Sequence, residues 1–124
     1  MNEELNNKKI FIINSLEQAK IAIKINQGKE LSLLSPYNSV IISGPSFFIN
    51  LKQEIERLFD NLTIIMWIDC GKSPGLALNV IREGGKNIIF NNDSISAIQE
   101  IAYLGGVNIV NSIPDVIDLS KNNY

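Results

Sequence analysis

Residues 61–90 read NLTIIMWIDCGKSPGLALNVIREGGKNIIF, and this stretch decides the fold. From Leu62 to Ile68 every position but Thr63 is apolar, the pattern of a strand covered on both faces within a parallel sheet. Asp69 to Gly75 then reads as a loop, with Ser73 as helix N-cap and Pro74 at the first helical position. The helix runs to Glu83 and stops at Gly84-Gly85, and a strand follows from Asn87 to Phe90. Strand, loop, helix and strand make one complete β-α-β unit, whose crossover is expected to be right-handed.

The same alternation continues on both sides. Lys9 to Ile13 reads as the first strand, and Leu31 to Leu34, stopped by Ser35-Pro36, as the second. Between them Ser15 and Gln18 form a capping-box pattern that opens a helix from Leu16 to about Asn26, ended by Gly28. Val40-Ile41-Ile42 reads either as a short strand or as an apolar loop under a helix. Gly44-Pro45 opens an amphipathic helix in which Phe47, Phe48, Leu51, Ile55, Leu58 and Phe59 share roughly 120° of arc. Glu54, Glu56, Arg57 and Asp60 take the remainder.

Beyond Phe90, Asp93 or Ser94 caps a helix carrying Ile95, Ile98, Ile101 and Ala102, which Gly105-Gly106 ends before a fifth strand, Val107 to Val110. The tail contains Pro114 and a short helical or extended segment around Val116-Ile117-Leu119. Five strands alternating with about four helices predict a three-layer, doubly wound α/β fold with a mostly parallel sheet. Leu62 to Ile68 is expected at its centre, with helices on both faces and Trp67 largely buried. The chain reads as a single α/β domain, 1–124, with 1–8 and 120–124 flexible.

With 124 residues, 45% hydrophobic and 19% charged, the chain is long and apolar enough for one core. Net charge is −2, with acids and bases mixed, so no basic stripe exists for a nucleic-acid partner. The longest apolar run, Ile64 to Ile68, is too short to cross a bilayer, and no membrane partner is expected. The polar start, MNEELNNKK, leads into no secretory segment, and Cys70 is the only cysteine. These features point to a reducing, cytoplasmic setting.

The chain has no histidine, which removes the commonest general base, the commonest zinc ligand and every Ser-His or Cys-His pair. No catalytic residue, metal or cofactor is therefore nominated. Isoleucine and asparagine are over-used and lysine outnumbers arginine nine to two, consistent with an AT-rich genome.

Candidate binding residues cluster where the central strand ends: Asp69, Gly71, Lys72, Ser73 and Gly75, with Asn91 at the end of the next strand. The helix start offers the amides of Gly75, Leu76 and Ala77 and a partial positive charge to an anion. No GxxxxGK[ST] run is present, so this is not a nucleotide P-loop. Asp69 suits a metal or a phosphoryl group; a carboxylate accepting from loop amides is the more ordinary role for an acid at this place. Cys70, beside a helix start and Lys72, is either a lowered-pKa thiol or a buried small hydrophobe. Asn91-Asn92-Asp93 and Asn111-Ser112 would line any crevice on the same edge. Ile21 and Ile25 lie opposite Leu16, Ala19 and Ile23 on the first helix, a candidate self-association stripe.

The pattern Asp69…Pro74-Gly75…Leu78…Ile81-Arg82 resembles the acceptor strand and following helix of response-regulator receiver domains. That resemblance implies a flavodoxin- or receiver-like fold. It implies no phosphorylation chemistry, because Asn14-Ser15 stands for the acidic pair and Asn111-Ser112 for the Lys-Pro. Asp69 to Leu119 also resembles the second half of STAS (anti-sigma-factor antagonist) domains, with Ser73 nearest their phosphorylatable serine. Leu33-Leu34-Ser35, Gly44-Pro45-x-Phe47-Phe48 and Asp69-Cys70-Gly71…Pro74-Gly75-x-Ala77-Leu78 look like a small alphaproteobacterial (Rickettsia-like) family of α/β proteins. This implies a bacterial cytoplasmic protein and carries no mechanism.

Two functions are expected. One is a non-catalytic module acting through an unknown protein partner or a homo-oligomer. The other is a small-ligand or phosphate-binding protein, or an enzyme, with its site at the strand ends around Asp69. A polar crevice at Asp69, Asn91 and Asn111 would favour the second; a filled edge beside an exposed apolar helix face would favour the first.

Overall fold

The strand expected at the centre forms from Thr63 to Asp69 (β3), and the computed structural model sets it third in a sheet of six. The structure describes residues 9–92 and 96–121. Before β3 come β1 (Ile10–Ile12), α1 (Leu16–Ile25), β2 (Glu30–Leu34), α2 (Ser39–Ser43) and α3 (Pro45–Leu58). After it come α4 (Pro74–Arg82), β4 (Asn87–Ile89), α5 (Ser96–Leu104), β5 (Asn108–Val110) and β6 (Val116–Asp118). Every pairing is parallel, in the order β5-β4-β3-β2-β1-β6. The protein is α/β, broadly a flavodoxin-like three-layer fold, with six strands rather than five.

Local chemistry sets the element ends. Ser15 Oγ accepts from the Gln18 amide at 3.2 Å, while Gln18 Oε1 accepts from the Asn14 amide at 2.7 Å, so the box closes one residue earlier than usual. Gly44 separates α2 from α3, with Pro45 opening the latter. Val40-Ile41-Ile42, read as strand or loop, lies within helix α2. Only Val40 of the three is buried, so the apolar run is a surface turn anchored by one side chain. The tail segment is extended and forms edge strand β6 beside β1. The cap assigned to Asp93 or Ser94, along with Ile95, lies outside the described residues, as do 1–8 and 122–124 of the segments read as flexible. Ser120 and Lys121 are described, and Ser120 donates from its amide to Asp118 Oδ1 at 2.9 Å. Among the described residues no helix is long and apolar enough to cross a membrane.

The main core lies between the sheet and one layer of helices, with Phe11, Leu31, Leu33, Ile64, Met66, Ile68 and Ile88 on the sheet side. Helix α1 contacts α3, α3 contacts α4, and α4 contacts α5, a single row. The opposite face is covered more thinly. From β1 to β5 each crossover advances in the same direction, and right-handed crossovers that never reverse lay α1, α3, α4 and α5 on one side. A doubly wound sheet reverses near its middle; here the reversal falls between β5 and β6. The third layer is thin, built from Tyr37–Ile41 and residues 111–113, which meet the opposite face at Ile12, Leu34 and Ile89. Trp67 shares a row with Ile12 and Leu34 on that face and is partly buried, in keeping with the expectation that it is not exposed.

The β5–β6 connection then bends the sheet. Five residues, 111–115, join Val110 to Val116, a reach of about 21 Å at most. Six strands lying flat would separate β5 from β6 by about 24 Å. Twist alone does not shorten that span, so the sheet curls toward the face the connection crosses. Leu34 and Ile89 are buried on that face, beside Tyr37–Ile41 and residues 111–113.

Candidate functional site

The curl leaves a crevice of about 450 Å³ at the carboxyl ends of the strands. Its apolar walls are Ile12, Leu34, Ile89, Val116, Ile41 and Ile113, with Tyr37 at one side. Polar groups enter from four loops: Asn38, then Asp69 to Ser73, then Asn91, then Asn111 and Ser112. Carboxyl strand ends are where open α/β sheets hold ligands.

Backbone hydrogen bonds fasten these loops together. Ser35, buried just after β2, donates its amide to Trp67 O at 3.0 Å and accepts the Asp69 amide on its Oγ at 2.9 Å. The Asn91 amide donates to Gly71 O at 2.8 Å, and Asn92 Nδ2 donates to Lys72 O at 3.3 Å. Asp69 is thereby held on the crevice face, level with Ile89. Its Oδ1 accepts from the Gly71 amide at 2.9 Å, and Gly71 adopts φ +56°, a turn conformation suited to glycine.

Of the sequence-predicted residues, Asp69, Gly71, Lys72, Ser73 and Asn91 meet at the crevice, whereas Gly75 is not among its walls. The helix start is also less open than the sequence implies. Ser73 Oγ takes the Leu76 amide at 3.1 Å, Ser73 O takes the Ala77 amide at 3.1 Å, and Pro74 has no N–H. Of the three amides nominated for an anion, only that of Gly75 is left without one of these acceptors. The stripe of Ile21 and Ile25 is not formed either: Ile21 is half-buried and packs on the core, while Ile25 is exposed near the amino edge. Sequence reasoning missed Ile12, Leu34, Tyr37, Ile113 and Val116 as site residues, because strand order is what brings β1, β2 and β6 around β3.

Two titratable groups at the site are perturbed. Burial pushes the Asp69 carboxyl above its ordinary value, and the Gly71 hydrogen bond opposes this only in part. A folded-state value above the unfolded one means the protonated form is favoured by folding. The stability this gives is fully present below the ordinary carboxylate range and is lost as pH rises through the raised value. Asp69→Asn removes the buried charge and keeps an acceptor for Gly71. It is expected to raise the thermal midpoint at pH 7 and to leave it unchanged at pH 3.5. Scanning calorimetry at both values checks this; a lower midpoint at pH 7 would contradict it.

Cys70 is the buried small side chain, not a lowered-pKa thiol. Burial, with Asp69 next to it, pushes its thiol up to about 12, and its Sγ lies 3.8 Å from Ile68 O. Folded protein at pH 8 is expected to resist iodoacetamide for hours and to react fully in guanidinium. Rapid native labelling by intact mass would contradict the burial.

No known protein family, curated protein or solved structure matches the chain. Its activity therefore has to be argued from the crevice itself.

Proposed function

We propose that the chain is a non-catalytic, small-ligand-binding α/β protein whose ligand occupies the crevice at the strand ends around Asp69. The observation that carries this reading is the crevice: about 450 Å³, apolar within and rimmed by a few convergent polar groups. That combination and size are typical of small-molecule sites. Asp69 supports it further, since a half-buried carboxylate at a cleft is a common sign of a functional group. The test is native mass spectrometry of protein purified gently from its own cells. A retained mass below about 400 Da, absent from Ser112→Trp, is the expected result. Two bare spectra would count against it. Ser112 is exposed on the crevice wall, so tryptophan there obstructs the site without entering the core.

A second reading, a receiver-like or STAS-like cytoplasmic module acting through a protein partner or a second copy, draws on a different observation. Tyr37, Ile41 and Ile42 are 75%, 68% and 87% exposed beside the crevice mouth. Contiguous apolar surface of this kind often marks association. Sedimentation velocity of wild type against Ile41→Lys/Ile42→Lys decides it: a dimer lost in the double variant supports the module, and two monomers remove the homo-oligomer.

A further inference from the structure

The crevice carries a charge pattern that narrows what it can hold. Among the described residues Asp69 is the only acid on its walls, and Lys72, the only base, is exposed at the rim. Among the described residues Asp69 forms no ion pair and receives one hydrogen bond, the Gly71 amide on Oδ1. A carboxylate accepts about four hydrogen bonds. One flanked by Ile89 and half removed from water is poorly compensated by a single amide. An anionic guest would meet this charge; of the helix amides that might have offset it, those of Leu76 and Ala77 are taken by Ser73, and Gly75 is not among the crevice walls. A purely apolar guest would desolvate the carboxylate further and return nothing to it.

Resting on the small-ligand reading above, we propose that the crevice takes a small amphipathic amine. Its ammonium donates to the free oxygen of Asp69 and its apolar or aromatic body lies against Leu34, Ile89 and Tyr37. The register sets the spacing. Leu34 is level with Trp67, two residues below Asp69 and one strand across, so the two Cα atoms are about 8 Å apart. An amine with two or three bonds between nitrogen and a ring-sized body spans the gap between those side chains.

Three probes share one body and differ in the head group: phenethylamine, 2-phenylethanol and 3-phenylpropionate. Each is titrated into ¹⁵N-labelled wild type, Asp69→Asn and Ser112→Trp. Amide shifts at Gly71, Asn91 and Ile113 are the readout. In wild type phenethylamine is expected to bind at least about tenfold tighter than the alcohol or the acid, the value of one charge-assisted hydrogen bond. That preference should vanish in Asp69→Asn, which retains the fold, and Ser112→Trp should weaken all three. Equal or tighter binding of the alcohol or the acid overturns the amine assignment while leaving a small-ligand crevice standing. No shift at those amides with any probe overturns the amine assignment too, and bare native mass spectra beside it remove the binding reading as well.

Discussion

Phe48→Ala is expected to cost about 3–5 kcal/mol, the usual range for emptying a buried aromatic site. Phe48 has no exposed surface and sits in the core shared by α3 and β3. Its neighbour Phe47 meets it edge-on at a centroid distance of 4.9 Å yet remains 40% exposed. Phe47→Ala should therefore cost on the order of 1 kcal/mol, mostly the loss of that ring contact. Against a total stability of about 5–15 kcal/mol, only the first change threatens the fold. In a chain of this length it should lower the thermal midpoint by roughly 10–20 °C. Urea melts of both variants check the contrast. Equal losses would mean that α3 is rotated about its axis relative to the arrangement described.

That contrast marks how far periodicity reaches. The arc of Phe47, Phe48, Leu51, Ile55, Leu58 and Phe59 is visible in the sequence, and its buried members, Phe48 and Ile55, lie toward the Phe59 side. Phe47 and Leu58 lie at one edge of the arc and are exposed. Where the edge falls depends on how neighbouring helices crowd α3, which no local pattern encodes. The β-α-β unit from Thr63 to Ile89 was legible for a different reason: N-cap Ser73, Pro74 and the Gly84-Gly85 stop are all local signals.

Strand order was not legible, and the site depended on it. Nothing local in Val116-Ile117-Asp118 says that it pairs with β1 instead of following β5 at the far edge. That pairing draws residues 111–113 across the sheet and turns a row of strand ends into an open crevice. Asp69, Gly71, Lys72, Ser73 and Asn91 were within reach of sequence because strand ends announce themselves. Leu34, Tyr37 and Val116 were not, since they join the site only through the curl. Lys72 and Asp69, three residues apart, form no ion pair, so the site's charge balance was also hidden from the sequence.

The two helices that end in paired glycines carry the other large effect. In α4 the Gly85 amide donates to Val80 O at 2.8 Å and the Gly84 amide to Ile81 O at 3.1 Å; in α5 Val107 donates to Ala102 O at 2.8 Å and Gly106 to Tyr103 O at 3.3 Å. Both are Schellman ends, with Gly84 and Gly106 at positive φ. The residue after each differs with the one it folds back upon. Val107 faces small Ala102, whereas Gly85 faces Val80, whose Cγ1 would lie 2.4 Å from an added Cβ. Gly85 is thus required by contact, not by its backbone angle. Gly85→Ala must displace buried Val80 and should cost about 1–3 kcal/mol. Val80→Ala opens a cavity with its own cost. With Ala at position 80 the Cγ1 clash is gone, so the double variant should lose less than the sum by about 1 kcal/mol or more. Urea melts of the four proteins measure that coupling. Strict additivity would show that the helix end relaxes freely and that Gly85 is not held by Val80.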